Sequence, residues 1–427
     1  MSYVHIELVV VSAWGKTVGA VARDPRSGFF AFEYDPSWLK LGIELSPLHL
    51  QNAPGVFAFP NLAPHTFHRL PAMLADALPD SFGTSLLDAY IVGLGVPAAK
   101  ISALDRLAYL GSRGMGALEF APPLGPSAQP ETAYEIARLV TEGRNALAGS
   151  FGTEDEATSS VRDLLRIGSS AGGLGAKAII AWNESTGEIR GGHLDAPNGF
   201  EHWIIKLDGV DDVAANVGAE SQVQEGRIEF AYHLMARAAG IDMAPSRLIE
   251  EGGRAHFLTR RFDRIGNRKV HMQTLCGLAH LDFRAIGTHD YAQFLGAIRS
   301  LGIGAEAEQQ AFRRVAFNLM AANRDDHTKN FAFLLEESGS WKLGPAYDLT
   351  CGAALQYRNT SVNGNFGSVS LDDLVTLSDR FEIAGVADVL AEVADAIGSW
   401  SEFASTAGLS KASSEGVAKH LSLMKVR

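Results

Sequence analysis

The sequence predicts an α+β protein in which an N-terminal module of β-hairpins and helices precedes a core of two lobes. Three observations support this prediction. Strand patterns dominate the start of the chain, strands alternate with a helix in its middle, and long amphipathic helices dominate from residue 291 onward. A Pro-rich segment at 121–130 marks a linker. We therefore expect the module at 1–155, the N-lobe at about 156–265 and a mostly helical C-lobe at about 266–427.

The individual elements follow from apolar periodicity and from turn residues. In the N-terminal module, strands are predicted at 4–11, 17–22 and 28–34, and helices at 67–94 and 131–147, the first of them broken at Pro71 and Pro79. In the core, strands are predicted at 178–182, 202–207 and 255–261, and helices at 225–239, 291–301, 306–322 and 386–403.

Composition and charge exclude several classes of function. Hydrophobic residues make up 46% of the 427, and the formal net charge is −12, which disfavours direct nucleic-acid binding because that depends on Lys and Arg facing phosphates. Two cysteines, Cys276 and Cys351, are too few for a disulfide framework and fit a reducing cytosol. No apolar run approaches the roughly 18 residues that span a bilayer. We therefore expect a cytoplasmic protein with no membrane partner.

The segment 323–331 contains the most informative motif of the chain. Asp325 and Asn330 have the Asp-x-x-x-x-Asn spacing of a kinase catalytic loop, where the Asp accepts a hydroxyl proton and the Asn binds a metal ion. A predicted β-hairpin follows, and after it comes a second acid, Asp348. The alternative is a solvated polar loop, but the flanking Phe331 and Tyr347 indicate a loop that packs on a core. The spacing favours Asp325 as the base over its neighbour, Asp326.

Five upstream segments complete a pattern that resembles the HipA family of serine/threonine kinases, the toxins of HipA/HipB toxin–antitoxin pairs. The Gly-rich loop 170–178 resembles the family's phosphate-side loop, the strand 202–206 its lysine strand, and 261–264 its hinge. The segments 78–81 and 111–118 resemble its N-terminal region. The resemblance spans most of the chain in family order, and it implies a protein-kinase-like bilobal fold that uses ATP and Mg²⁺.

The resemblance also implies roles for individual residues. Asp325 would be the catalytic base, Asn330 and Asp348 the metal ligands, Lys206 the contact to the ATP phosphates, and Glu229 the residue that orients this lysine. The expected ATP-binding residues are Ala171, Gly172, Gly173, Leu174, Gly175, Ala176, Lys177, Lys206, Arg260, Arg261, Phe262, Asp263, His327, Lys329, Asn330, Tyr347 and Asp348. Arg260 stands where the family often has Glu, so only backbone contacts are expected there.

The glycine-rich loop also carries an expected regulatory site. In the family the serine at the position of Ser170 phosphorylates itself, and the added charge competes with the ATP phosphates. Ser169 is the alternative acceptor.

The implied activity is phosphorylation of a protein serine or threonine in a component of the translation machinery, such as an aminoacyl-tRNA synthetase, which arrests growth. The implied partner is a HipB-like helix-turn-helix antitoxin that brings the complex to operator DNA. Two alternatives stay open: a small-molecule phosphotransferase with the same lobes, and a non-catalytic binding module. The presence of Lys206, Asp325, Asn330 and Asp348 argues against the second.

Overall fold

The computed structural model describes residues 5–126, 133–148, 176–208, 224–352 and 355–421. Ser169, Ser170 and the glycine-rich loop 171–175 lie outside these residues, so the structure does not describe those expected sites. The described residues form three larger antiparallel sheets and a set of helices, which confirms the predicted α+β class. No helix among the described residues has the length and apolar character needed to cross a membrane.

The N-terminal module contains a five-stranded antiparallel sheet in the order β4-β3-β2-β1-β5. Its strands are β1 (Leu8–Ala13), β2 (Lys16–Arg23), β3 (Phe30–Tyr34), β4 (Val56–Phe57) and β5 (Leu118–Ala121). Gly15, with φ +71°, forms the turn between β1 and β2, a conformation that glycine adopts without strain. Gly19 has no room for a side chain, because a Cβ there would lie 2.2 Å from the Glu33 carbonyl oxygen on β3.

The N-terminal module also contains six helices. They are α1 (Pro36–Leu39), α2 (Pro64–Phe67), α3 (Ala72–Asp76), α4 (Ser81–Gly93), α5 (Ala103–Leu110) and α6 (Ile136–Ala148), with a 3-10 turn at Ala98–Lys100. The apolar side chains of α4 and α6 pack in a cluster with the N-lobe strands 177–182 and 201–206. The predicted breaks at Pro71 and Pro79 separate α2, α3 and α4. The Asp80 carboxylate caps α4 by accepting a hydrogen bond from the Gly83 N–H. The apolar core of the module also includes Cys276 and Leu335, which belong to the C-lobe.

The N-lobe is built on a second antiparallel sheet in the order β7-β6-β8-β10-β9. Its strands are β6 (Lys177–Trp182), β7 (Ile189–Gly191), β8 (Glu201–Lys206), β9 (Ser246–Glu251) and β10 (Arg254–Arg260). Helix α7 (Glu225–Ala238) packs on β10, and Gly226 permits the close approach since a Cβ there would lie 2.0 Å from the Ala255 carbonyl oxygen. The β6–β8 register pairs Lys177 with Lys206.

The C-lobe is mostly helical. Its helices are α8 (Leu275–Ala279), α9 (Tyr291–Ser300), α10 (Ala305–Met320), α11 (Leu371–Arg380), α12 (Val386–Gly398), α13 (Trp400–Thr406) and α14 (Lys411–Ala418). Its strands are β11 (Arg264–Ile265), β12 (Arg268–Lys269), β13 (His271–Thr274), β14 (His289–Asp290), β15 (Ala332–Leu335), β16 (Trp341–Leu343) and β17 (Thr360–Ser361). The predicted hairpin after Phe331 is β15–β16, paired antiparallel. The single helix predicted at 386–403 is wrong, because α12 ends at Gly398 and α13 begins at Trp400. Glycine weakens a continuous helix.

Candidate active site

The segment that carries Asp325 and Asn330 connects α10 to β15. Ala322, with φ +54°, turns the chain after α10, and Thr328–Asn330 forms a 3-10 turn before β15. The Asn330 side chain is buried and its Nδ2 donates a hydrogen bond to the Asp325 carbonyl oxygen at 2.8 Å. Asn330 Oδ1 has no hydrogen-bond partner among the described residues. The loop therefore holds a buried oxygen that is available to a ligand.

The adjacent acids Asp325 and Asp326 have opposite environments. The Asp326 side chain has no exposure and accepts hydrogen bonds from the Tyr291 hydroxyl at 2.6 Å and from the Asn359 and Thr360 N–H groups at 2.8 and 3.1 Å. Burial raises the pKa of Asp326 to about 6, although Arg358 opposes this rise. The Asp325 side chain is 40% exposed and accepts one hydrogen bond at 2.8 Å, from Asn359 Nδ2. Only Asp325 has an oxygen within reach of a substrate in solution.

Lys206 joins three elements inside the cleft between the lobes. Its ammonium group donates hydrogen bonds to Glu229 on α7, at 2.5 Å, and to Asp348, which follows β16. Asp348 has φ +56°, a left-handed conformation that Asp tolerates better than most residues. An unusual backbone conformation at such a position is common in functional sites.

Burial and neighbouring charges determine the pKa shifts of Asp348, Glu229 and Lys206. Burial alone would raise the pKa of Asp348, but Lys206 and Lys177 outweigh it and hold the pKa well below its ordinary value. Burial raises the pKa of Glu229 despite the neighbouring Lys206. Burial also works against a charged Lys206, yet Asp348 and Glu229 raise its pKa above the ordinary value. Lys206 and Asp348 are therefore charged at pH 7.

The cleft beside Lys206 is lined mainly by apolar side chains. The rings of Phe262 and Tyr347 lie 5.7 Å apart at 37° and form one wall. The other lining residues include Met115, Ile204, Met243, Phe257, Thr259, Met272 and Leu349. Met115 belongs to the N-terminal module and to the segment 111–118 that resembles the family's N-terminal region, but no role in the site was predicted for it from the sequence. Its neighbour Gly116 allows the approach, since a Cβ there would lie 2.8 Å from the Met272 nitrogen.

The connection between the lobes divides the expected ATP-binding residues into two groups. Phe262 lines the cleft, whereas the side chains of Arg261 and Asp263 are fully buried and pair with each other at 2.7 Å. Asp263 also accepts a hydrogen bond from the Gly116 N–H at 2.7 Å, so this pair faces the N-terminal module. The Arg260 side chain is exposed and pairs with Glu201 at 3.1 Å. The side chains of Arg260, Arg261 and Asp263 therefore do not line the described cleft.

His327 and Lys329, the other expected ATP-binding residues of the segment 323–331, pack against Phe283. The Lys329 ammonium lies 4.9 Å from the centre of its ring, and the His327 ring lies 5.4 Å away in an edge-on contact. His327 Nε2 is 4.0 Å from an Asp325 oxygen, and burial lowers the pKa of His327. The Tyr347 hydroxyl donates a hydrogen bond to the Lys329 carbonyl oxygen, which ties the segment to the cleft wall. Of the expected loop residues, Ala176 and Lys177 are described, and both are buried.

The oxygen donors present fit a hard divalent cation. Asn330 Oδ1 lacks a partner among the described residues and Asp348 is ionised, and Mg²⁺ prefers such oxygens. Nowhere in the described ranges do three or more His, Cys, Asp or Glu side chains form a group that could hold a metal. Magnesium commonly keeps several water ligands and binds through one or two protein groups plus phosphates, so two protein donors suffice.

Comparison with known families assigns the chain. The family model of the HipA-like C-terminal domain matches residues 169–413, more than half of the chain, and the model of the HipA N-terminal domain matches residues 9–121. The chain belongs to the HipA family. The resemblance inferred from the sequence motifs is therefore confirmed.

One solved structure shows a shared fold. The HipA of Shewanella oneidensis MR-1, from a toxin–antitoxin complex of HipA, HipB and operator DNA, is similar with a TM-score of 0.65 at 17% identity. The similarity covers 96% of this HipA-family chain and 94% of that chain, so the two share a fold over nearly their whole length. The Helicobacter pylori proinflammatory kinase CtkA is 12% identical over 53% of this chain and 86% of that chain, but its TM-score of 0.37 is too low to establish a shared fold. No curated protein matches the sequence.

Proposed function

We propose that this chain is an ATP- and magnesium-dependent protein kinase that transfers phosphate to a serine or threonine of a protein. The observation that carries the proposal is the pairing of the Lys206 ammonium with both Glu229 and Asp348 in the cleft between the lobes. Phosphoryl transfer requires positioned positive charge and metal ligands more than covalent chemistry. An exposed lysine would be hydrated by water and would not pair with two buried carboxylates.

The roles of the residues follow from their environments. Lys206, held by Glu229, supplies a fixed positive charge for phosphate oxygens. Asn330 Oδ1 and the Asp348 carboxylate would hold the cation, and a magnesium-bound nucleotide would supply the phosphoryl group. Asp325 accepts the proton of the attacking hydroxyl, because its side chain is partly exposed. The Asp326 carboxylate instead accepts buried hydrogen bonds from the Tyr291 hydroxyl and the Asn359 N–H. Phe262 and Tyr347 provide the apolar wall for a nucleotide base.

The biological setting is proposed from the family. The chain acts as a growth-arresting toxin whose target belongs to the translation machinery, and a HipB-like helix-turn-helix antitoxin neutralises it. The Shewanella HipA assembles with HipB and operator DNA, which supports this partner. The net charge of −12 supports indirect DNA contact, through the antitoxin. Ser170 is proposed as the autophosphorylated residue that switches the enzyme off.

The proposal is tested with purified protein, γ-labelled ATP and a cell lysate. Labelled protein bands in the presence of Mg²⁺ support it, whereas label found only in metabolites would assign a small-molecule phosphotransferase.

Asp348→Asn keeps the side-chain volume and suits the left-handed backbone at this position. It should abolish Mg²⁺-dependent thermal stabilisation by ATP. Exposed Asp372→Asn on α11 is the matched control. A normal magnesium-dependent shift in Asp348→Asn would assign this residue a structural role.

A further inference from the structure

A cleft of about 1290 Å³ opens in the N-terminal module, away from the apolar cavity beside Lys206. Its walls come from the first residues of β1, the end of β2, the turn after α2 and the start of α5. Small-molecule sites usually measure about 300–1,000 Å³, so this cleft has room for an extended peptide segment.

Two arginines converge in this cleft without a counter-charge. A Cβ built on Gly28 would lie 3.6 Å from Arg69 Nη1 and 3.9 Å from Arg23 Nη2, so both guanidinium groups approach one point. Both residues are exposed, and no acidic side chain of the described chain forms an ion pair with either. Lys100, also exposed and without such a pair, lines the same cleft. Like charges held together are unfavourable unless an anion joins them.

The other titratable groups of the cleft do not supply that anion. Arg106 already forms a two-point ion pair with Asp88, at 2.8 Å for both hydrogen bonds. Burial, with Arg106 nearby, lowers the pKa of His68 to about 4, so its ring is neutral at pH 7. Glu7, the one acidic residue among the described lining residues, forms no ion pair with Arg23, Arg69 or Lys100. The cleft is therefore positive within a chain of net charge −12.

Apolar surface lies beside these cations. Leu8 is 49% exposed at the start of β1, and Pro64, Ile101 and Leu104 line the same walls. A single exposed leucine is ordinary, but one placed in a concave site next to uncompensated cations marks a binding surface. The mixture suits a ligand that carries both carboxylates and apolar side chains.

Helix α2, whose first residue Pro64 lines the cleft, is connected to the segment 323–331 through Asp282 and Phe283. The Thr66 hydroxyl donates a hydrogen bond to Asp282 at 2.5 Å, and His65 Nε2 lies 3.2 Å from the same carboxylate. The next residue, Phe283, is the ring on which Lys329 and His327 pack. The wall that contains α2 is thus fixed against the residues that support the catalytic loop.

We propose that this cleft binds an acidic, partly apolar segment of the protein whose hydroxyl is phosphorylated. One carboxylate of that segment joins the guanidinium groups of Arg23 and Arg69, a second pairs with Lys100, and an apolar side chain covers Leu8. Because α2 contacts the support of the catalytic loop, the bound segment holds the acceptor close to Asp325. This inference rests on the proposed kinase function and names the class of its substrate.

A peptide fits better than a nucleic acid for two reasons. The chain has a large negative net charge, and a nucleic-acid site needs many cations because each neutralised phosphate adds to affinity. The cleft offers three uncompensated cations, and the one phenylalanine among its described lining residues, Phe30, is buried, whereas single-stranded nucleic acids are usually bound by stacking on exposed aromatic rings.

Binding is measured first, without nucleotide, by fluorescence anisotropy. The probes are a labelled peptide of alternating Glu and Leu around one Ser, the same peptide with Gln for Glu, and a labelled single-stranded RNA of equal charge. We expect the Glu peptide to bind and the Gln peptide to fail. Raising the salt from about 50 to about 200 mM should weaken binding, since these charges are solvent-exposed.

Charge reversal identifies the residues. Arg23→Glu/Arg69→Glu should weaken the Glu peptide at least about tenfold at low salt and should create affinity for a Lys version of the peptide. Lys100→Glu is a second, independent variant for the same comparison. Lys40→Glu/Lys419→Glu changes the net charge equally at exposed positions that do not line the cleft, and it should bind like the wild type.

Each outcome decides the question. Unchanged binding in both cleft variants, or no binding by the wild type, overturns the proposal. Preferential RNA binding that the same variants abolish also overturns it and assigns a nucleic-acid site. If the Glu peptide binds through the cleft but the wild type shows no magnesium-dependent stabilisation by ATP, the kinase function fails, and with it the substrate role of the peptide. Selective phosphorylation of the Glu peptide, lost in the cleft variants while ATP stabilisation stays normal, supports the whole proposal.

Discussion

The Lys206 ammonium donates a hydrogen bond to the Glu229 carboxylate at 2.5 Å, which joins β8 of the N-lobe sheet to helix α7. The two residues are 23 positions apart, so this contact depends on the seating of α7 against the sheet. Any shift of the helix moves the Lys206 charge that we propose for contact with the ATP phosphates.

Glu229→Gln tests this relationship. The amide keeps the volume but loses the charge, so Lys206 retains only Asp348 as an ionic partner. We expect phosphoryl transfer to fall by up to about 100-fold, the cost of a displacement of about 1 Å in an active site. Initial rates with labelled ATP measure the effect, and exposed Glu402→Gln on α13 is the control. Wild-type rates in Glu229→Gln would remove its orienting role.

Substitutions at Asp325 and Asp326 should have different effects: the first should lower the rate of phosphoryl transfer, and the second should lower the stability of the fold. Asp325→Asn removes the proposed base but no buried contact, so the rate should fall about 10²–10⁴-fold with an unchanged melting temperature. Asp326→Ala leaves the Tyr291 hydroxyl and two backbone N–H groups without their acceptor. Each unsatisfied group costs about 1–3 kcal/mol, so the variant should unfold at lower urea concentration. The reverse pattern would make Asp326 the base.

Asp263→Asn should weaken the junction between the N-terminal module and the lobes. Burial alone would raise the pKa of Asp263, but Arg261 and Arg264 outweigh it and hold the pKa well below the ordinary value. Removing this charge leaves two buried guanidinium groups uncompensated, and we expect a loss of about 3–5 kcal/mol in the free energy of unfolding.

The pH dependence of that loss has a definite sign. A carboxyl whose folded pKa is depressed stabilises the fold above its unfolded pKa, about 3.9, and this contribution disappears as the pH falls toward the folded pKa. Urea unfolding of wild type and Asp263→Asn should therefore differ by a constant amount between about pH 8 and pH 5, and the difference should shrink below about pH 4. A gap that persists in acid contradicts this account.

Ser170 should become phosphorylated during incubation with Mg-ATP. A phosphoserine adds about −1.5 to −2 charges beside the expected phosphate site, so ATP binding should weaken as the modification accumulates. Phosphopeptide mass spectrometry measures the site, and Asp325→Asn, which lacks the base, should stay unmodified. Phosphorylation of Ser169 alone would make Ser169 the regulatory residue. If both serines stay unmodified, regulation by autophosphorylation in this loop is excluded.

The fold and the family could be predicted because their signals are local. The alternation of apolar residues predicts β6, β8 and β10 to within one or two residues, and the helix predicted at 225–239 is α7. Family order was readable from short motifs, and the matches at 9–121 and 169–413 confirm it. The role assigned to each site residue stays a prediction.

The features that sequence reasoning missed depend on distant contacts. Met115 reaches the cleft only because Gly116 lets the N-terminal module lie against Met272. Arg261 and Asp263 were expected among the ATP-binding residues of the hinge, yet they form a fully buried pair that faces the module. A local sequence pattern does not show whether a charged side chain will be buried, because its burial depends on packing between segments that are far apart in the sequence.

Cys276 and Leu335 of the C-lobe complete the core of the N-terminal module, so this core can form fully only after both residues have been synthesised. Val9 and Val11 leave the ribosome early, but Cys276 and Leu335, which complete the same apolar cluster, follow only after most of the chain has been made. At about 5–20 residues per second the delay is on the order of tens of seconds. Throughout this interval the nascent module has an incomplete core and exposes apolar surface. The chain therefore reaches its fully packed state only late in translation, when the strand that follows Asn330 has joined that core.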